Sequence, residues 1–341
     1  MRFFRTFFSA LAVVALAACG GGSGGTLPSA GDPGTRAPSG STVAFERTTL
    51  WVGYEQQISA FSTNGNGAVT PAKTYAAFRW SNSIAAPFPG IVDIAIAPDG
   101  TQYLLENRSA AEGGPGWRLY AVAPGDNRPE NTYGDDVNRP IAVGLGGDGI
   151  QVAYSDNSSG TTTIATYPYA ASNAPPIRTL QLTGQVLGFN EATDGYLYVL
   201  RPHHVDVYDQ FATGGTGPVR SINLTGLTGH VTPGSTEFAV APNNTIYVVD
   251  LPGNNANPVM YVNAYPPASG KVARRIGPLP ADYSGSGFPV ITVDSLNRLY
   301  VATNSKFYRF AANARGADAP QRLMTDSTQS RVHALAVGPK L

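Results

Sequence analysis

Apolar residues recur along this chain in short alternating runs separated by turn formers, and the runs themselves repeat. Residues 238–250 read F-A-V-A-P-N-N-T-I-Y-V-V-D, residues 94–106 read I-A-I-A-P-D-G-T-Q-Y-L-L-E, and residues 291–303 read I-T-V-D-S-L-N-R-L-Y-V-A-T. Each copy is an apolar strand, a turn carrying Asp, Asn or Gly, and a second apolar strand with an aromatic near its start. Period-two alternation around such turns predicts a β-hairpin, repeated.

Aligned on the second strand, the copies place Trp51, Tyr103, Val152, Tyr198, Tyr247 and Tyr300 at one position. They recur about every fifty residues, a spacing that fits four-stranded propeller blades better than two-helix repeats. A third strand follows each hairpin, at 58–61, 119–122, 164–167, 205–208, 262–265 and 307–310. A fourth follows at 72–75, 177–180, 219–222, 274–276 and 321–324, with a divergent E-N-T-Y at 130–133. The copies at 142–155 and 189–200 are degenerate. Residues 335–339 match a first strand that no second strand follows, whereas 49–52 form a second strand with no clear first. Together they complete one blade. The predicted fold is therefore all-β: a six-bladed β-propeller with four-stranded blades, closed by pairing of the N- and C-terminal strands. A leading strand near 43–45 is expected to join this blade or the preceding one.

Lys73, Arg178, Arg220, Arg275 and Arg322 are expected at one equivalent place in the fourth segments. Lysine and arginine on an outer edge blunt its unpaired backbone groups against aggregation, and that reading is favoured over a basic rim for an anionic partner. The tandem strand–turn–strand pattern resembles NHL-type propeller repeats over most of residues 51–341, although Ala97 and Ala241 stand where that family often carries Asp. The resemblance implies the fold and little about activity, because propellers host binding modules and enzymes alike.

Composition narrows the function classes. Lys+Arg and Asp+Glu are both 23, and charged residues make up only 13% of the chain. Nucleic acid requires a concentrated basic surface and is excluded as an expected partner.

The start of the chain has its own pattern. Arg2 and Arg5 precede an apolar run from Phe7 to Ala18, with the length and layout of a signal peptide. The run ends L-A-A-C-G at 16–20, with the sole cysteine, Cys19. This resembles the lipobox of bacterial lipoprotein precursors, in which the cysteine becomes the lipidated first residue. Gly20 rather than Asp after it resembles the outer-membrane-destined class. Residues 20–42 are rich in Gly, Pro and Ser and read as a flexible linker. The expected organisation is a signal peptide over 1–19, a linker over 20–42 and a propeller over 43–341, held to the cell envelope by lipid.

Candidate chemistry is sparse. The chain has no zinc-type His or Cys spacing and no P-loop; its G-x-S-x-G match at 21–25 and its G-x-G-x-x-G matches at 20–25 and 144–149 open no predicted helix and so form neither a nucleophile elbow nor a dinucleotide loop. No cofactor is expected, with a calcium or zinc ion in the channel left open. In a propeller the first strands line the channel and the loops of one face form its mouth. Asp93, Glu237 and His333 open first strands, and Arg139 precedes one; Glu106, Asp156, Arg201, Asp250 and Asn304 end or follow second strands. These nine are the candidate ligand-binding residues, weighed against a structural role as hydrogen-bond partners between blades.

The architecture resembles six-bladed hydrolases of the gluconolactonase and regucalcin type, whose channel metal is held by Glu, Asn and Asp. It also resembles antibiotic lyases of the virginiamycin type, which use His and Glu. Neither family's local motifs surround the candidates, so no catalytic residue is assigned. The favoured expectation is a non-enzymatic module that binds a protein, peptide or glycan at the loop face. The alternative is a metal-dependent hydrolase or lyase at the channel mouth.

Overall fold

β-branched and aromatic side chains, set out with period two, suit pleated strands packed on both faces. The computed structural model describes residues 48–54, 57–75, 90–108, 116–126, 129–135, 138–156, 159–169, 173–228, 237–252, 259–280, 289–326 and 332–339. The strands are β1 (Thr48–Tyr54), β2 (Ile58–Ser62), β3 (Gly67–Ala68), β4 (Lys73–Tyr75), β5 (Gly90–Ile96), β6 (Gln102–Arg108), β7 (Gly116–Val122) and β8 (Pro129–Asp135). Next come β9 (Arg139–Leu145), β10 (Ile150–Asp156), β11 (Thr161–Tyr167), β12 (Arg178–Thr183), β13 (Gly188–Glu191), β14 (Tyr196–Leu200), β15 (His204–Asp209) and β16 (Arg220–Asn223). The remainder are β17 (Phe238–Val240), β18 (Ile246–Asp250), β19 (Val259–Tyr265), β20 (Arg274–Pro280), β21 (Val290–Val293), β22 (Leu299–Thr303), β23 (Lys306–Phe310), β24 (Arg322–Thr325) and β25 (Val332–Pro339).

Six antiparallel sheets form the blades of a propeller. Five use consecutive strands, from β5–β8 through β21–β24, and the sixth has the order β25-β1-β2-β4. Pairing of Trp51 with Ala336 and Leu50 with Val337 closes the ring, as the divided repeat predicts. The expected alignment of second strands also holds in register: Tyr103 pairs with Ala95, Val152 with Val143, Tyr198 with Asn190, Tyr247 with Ala239 and Tyr300 with Thr292. The expected strand near 43–45 lies outside the described residues.

The core is divided rather than central. Among the described residues there are six clusters of buried apolar side chains, and each joins two neighbouring blades. The closing blade meets its neighbours through Phe61 and Phe307 on one side and Trp51, Ile94 and Leu104 on the other. Burial of this kind stabilises by about 25 cal/mol per Å² of apolar surface removed from water. No blade can obtain it alone, so ring closure and folding are coupled.

The outer edges carry a device the sequence did not reveal. The connection between the third and fourth strands of one blade latches in parallel onto the outer strand of the blade before it. Gly214 donates to the Thr179 carbonyl at 2.8 Å and accepts from the Gln181 amide at 2.7 Å. Gly316 does the same with the Arg275 carbonyl and the Gly277 amide, and β3 pairs in parallel with β24. Gly67, Gly214 and Gly316 have φ of 70°, 58° and 56°, a left-handed backbone that glycine adopts without a Cβ penalty.

Register also refines the fourth-strand cations. Lys73, Arg220, Arg274 and Arg322 are level, each across from the third-strand residue that pairs with the aligned second-strand aromatic. Arg178 and Arg275 are each displaced by one residue and so project from the opposite face. Motif matching over three or four letters does not fix register, whereas the hydrogen-bond ladder does.

Candidate functional site

The inner strands enclose a central channel of about 220 Å³. Its lining comes from all six: residues 93–96, 142–145, 188–191, 238–240, 291–293 and 335–337. Most of these are Ala, Val, Ile, Leu, Phe or Gly. The polar side chains are Asp93, Asn190, Glu191 and Thr292.

Asp93 is 7% exposed and is held from two directions. Its Oδ1 accepts the Ile94 amide at 2.8 Å, and its Oδ2 accepts the Val143 amide of the next blade at 2.9 Å. Burial pushes its pKa up to about 7, with the two amides pulling the other way. Glu191 lies further along the channel, towards the hairpins that join first and second strands. Its Oε1 accepts the Gly147 amide at 3.0 Å, and its Oε2 accepts from the Gln151 side-chain amide at 2.8 Å. Burial raises this carboxyl to about 7 as well. The Gly147 amide is the strongest opposing influence, and nearby Asp148 adds a smaller rise. Both acids therefore brace the same blade, β9–β12, one from each neighbouring blade.

Of the nine candidates read from the sequence, Asp93 is the one on the channel lining. Glu237 occupies the level position three blades away, two residues before Ala239 as Asp93 is two before Ala95, so the two stand on opposite sides of the ring. Glu237 is fully buried, and its backbone carbonyl accepts the Val249 amide at 3.0 Å. His333 is half-buried at a bulge in β25, between partners of Tyr54 and Gly53. Arg139 is exposed at the start of β9, and Asp156 ends β10 half-buried.

The others are held by local partners. Glu106 accepts from the Tyr120 hydroxyl at 2.8 Å. Arg201 is buried, paired with Asp206 at 3.2 Å, and donates to the carbonyls of Thr183, Gly184 and Gln185 on the crossing from the preceding blade. Asp250, at 0% exposure, accepts from Arg275 at 2.6 Å and from the Thr228 amide at 2.8 Å. Asn304 sits in the short turn between β22 and β23, with φ 46°. Residues 76–89, 109–115, 229–236, 253–258, 281–288 and 327–331 lie outside the described residues.

Sequence reasoning missed Glu191, Asn190 and Thr292. One signal was available: Glu191 is a charge at a first-strand position where other copies carry Ile96, Val240, Val293 and Val337. The degeneracy of that copy hid it.

A channel metal of the kind implied by the hydrolase resemblance requires three or more converging donors. Among the described residues no group of three His, Cys, Asp or Glu side chains is so placed. Each oxygen of Asp93 and of Glu191 already accepts a hydrogen bond from the protein. The residues present do not fit such an ion, and no chemistry is routed through one.

No family model matches the chain, and no curated protein matches it. Solved structures do. A functionally unknown protein from Desulfotomaculum acetoxidans is 10% identical, with a TM-score of 0.51, covering 87% of this chain and 91% of its own. A protein from Bacteroides uniformis, provisionally named a 6-phosphogluconolactonase, is 13% identical with a TM-score of 0.53, covering 86% of this chain and 99% of its own. Another with the same provisional name, from Bacteroides fragilis, is 9% identical with a TM-score of 0.50 over 86% and 99%. The likeness is one of fold. At these identities it assigns no activity.

Proposed function

We propose that this protein is a non-enzymatic recognition module of the cell envelope, anchored by lipid at Cys19 and binding a protein, peptide or glycan at its loop face. The observation that supports this reading is the state of the channel acids. Every oxygen of Asp93 and Glu191 accepts a protein hydrogen bond, and all but Asp93 Oδ1, which takes the amide of Ile94 in its own strand, reach a neighbouring blade, the arrangement of struts rather than of a catalytic pair. Long polar Gly-rich segments at 107–116 and 251–258 supply the kind of sequence from which binding loops on a rigid scaffold are built.

A sugar-lactone hydrolase is the second reading. It is favoured by a carboxyl in the channel, Asp93, whose raised pKa of about 7 matches a general base at neutral pH. One assay separates the two. The full chain is incubated with gluconolactone and 6-phosphogluconolactone between pH 6 and 8, alongside Asp93→Asn. The binding-module reading expects no hydrolysis above the spontaneous rate. Turnover that rises with pH near 7 and is lost in Asp93→Asn would replace it with the hydrolase. The anchor is tested separately: labelled palmitate enters the wild-type chain, whereas Cys19→Ser takes up none and leaves the membrane fraction.

A further inference from the structure

We infer that Arg309 and Arg322, where the blade β21–β24 meets the closing blade, form a binding site for a tetrahedral oxyanion: phosphate, as the free ion or as a monoester. The two arginines are directly opposite in the β23–β24 ladder, so they project from one face of the sheet. In the other blades with a level fourth-strand cation, the residue across from it is apolar. Ala60 is opposite Lys73, Val207 opposite Arg220 and Ala264 opposite Arg274. Like charges directly opposite one another on a sheet are destabilising, and an anion held by both reverses the sign.

Among the described residues no carboxylate pairs with either arginine. Arg309 is 6% exposed, and arginine is almost never so buried unless paired. Its Nη1 donates to the Thr63 carbonyl at 2.8 Å and to Asn64 Oδ1 at 3.4 Å, both on the closing blade, while its Nε is buried without a partner. Arg322 donates from Nη1 to the Gln321 carbonyl at 3.2 Å, and its Nε is likewise buried and unpartnered. The cations level with it in two other blades are better engaged. Arg220 and Arg274 each donate from Nη2 to the hydroxyl of the level tyrosine, at 3.0 and 3.2 Å. Here that tyrosine, Tyr300, donates instead to Asp294 at 3.0 Å. Asp294 is itself held by Arg298 Nε at 2.6 Å and by the amides of Leu296 and Arg298.

Burying a charge without a counter-charge is costly, and a bound anion removes that cost. The guanidinium fork matches the oxygens of carboxylate or phosphate. A planar carboxylate presents its two oxygens to one fork. A tetrahedral oxyanion presents oxygens in several directions, so it accepts from two forks on adjacent strands at once. Asn64 and Asn66 supply further donors. Each uses its Oδ1 as an acceptor, from Arg309 and from the Leu323 amide at 3.2 Å, which leaves Nδ2 to donate. An anion held here ties the connection at 62–67 of the closing blade to its neighbour, beside the β3–β24 latch.

The test is titration calorimetry and thermal melting of the full chain with inorganic phosphate, methyl phosphate, acetate or chloride at matched ionic strength. Phosphate should bind at a single site and raise the Tm by about 2–4 °C at about tenfold excess over Kd. Acetate and chloride should bind at least about tenfold more weakly. Arg322→Gln should weaken phosphate by about tenfold or more. In phosphate-free buffer the same variant should melt no lower than the wild type, because it relieves a repulsion; an arginine with only a structural role would lower the Tm instead. Arg220→Gln, at the level cation opposite Val207, should keep the phosphate response. Methyl phosphate that binds as tightly as phosphate upholds the site and assigns it to a phosphorylated molecule, whereas markedly weaker binding upholds it as a site for the free ion. An equal response to phosphate, acetate and chloride is charge screening alone and overturns the site. A phosphate response that Arg322→Gln leaves intact overturns it too, as does a variant that melts lower without phosphate.

Discussion

The carboxylate of Asp93 accepts the amide of Val143 at 2.9 Å, across the boundary between two blades and fifty residues along the chain. An inner strand is the edge of its sheet, and its outward amides need partners. Here a side chain of the neighbouring blade supplies one. The cost is a buried carboxyl, visible in its raised pKa.

Stability should therefore fall as the medium turns alkaline. The pKa values of Asp93 and Glu191 rise from 3.8 and 4.5 in the unfolded chain to about 7 in the fold. Between those limits the native state binds more protons than the unfolded one. The contribution is complete below about pH 4 and is lost as pH rises through 7. Each group carries on the order of a few kcal/mol. Thermal melting from pH 5 to 8 should show a declining Tm, and Asp93→Asn should flatten the slope. A Tm that climbs over this range would contradict it.

The Arg275–Asp250 pair is asymmetric, with Asp250 at 0% side-chain exposure and Arg275 at 40%. Arg275→Ala removes the cationic partner of a buried carboxylate that Thr228 also binds, at a cost of about 2–4 kcal/mol. Asp250→Asn leaves an arginine that water can reach, and it should cost less. Urea midpoints of the two variants give the order directly.

Gly270 tests the rim latches. Its carbonyl accepts from the Thr225 amide at 2.8 Å, and a Cβ there would run into the backbone oxygen of Asn223. No rotamer change relieves a clash with main chain. Gly270→Ala should lose about 1–3 kcal/mol and speed amide exchange at Thr225. Gly215→Ala, a glycine with open space around it, is the control and should change little.

Deleting residues 332–341 removes β25 and with it the strand that closes the ring. Two apolar clusters lose Val332, Leu335, Ala334 and Ala336. The truncated chain should lose its cooperative unfolding transition, and the missing strand added as a peptide in trans should restore part of it. A truncated chain that melts as sharply as the parent would show that closure is dispensable.

The six copies, their strand order and the split closing blade were legible in the sequence because they depend on local alternation and on a period. The level position of Trp51, Tyr103, Tyr198, Tyr247 and Tyr300 follows from the same periodicity, since each is set by the hairpin that contains it. What these residues meet across a blade boundary was not legible. Asp93 was noticed as a polar residue opening a strand, but its partner Val143 belongs to another blade. Glu191 went unnoticed because its copy is degenerate and its partners, Gly147 and Gln151, lie more than a turn of chain away in a neighbouring sheet. Arg178 and Arg275 were placed one residue out of level, because a short motif carries no register.

Local sequence determined the blades. The tertiary structure decided which carboxyls become struts and which glycines become latches. Those outcomes depend on contacts between blades, and a repeat specifies each blade without specifying the neighbour it faces.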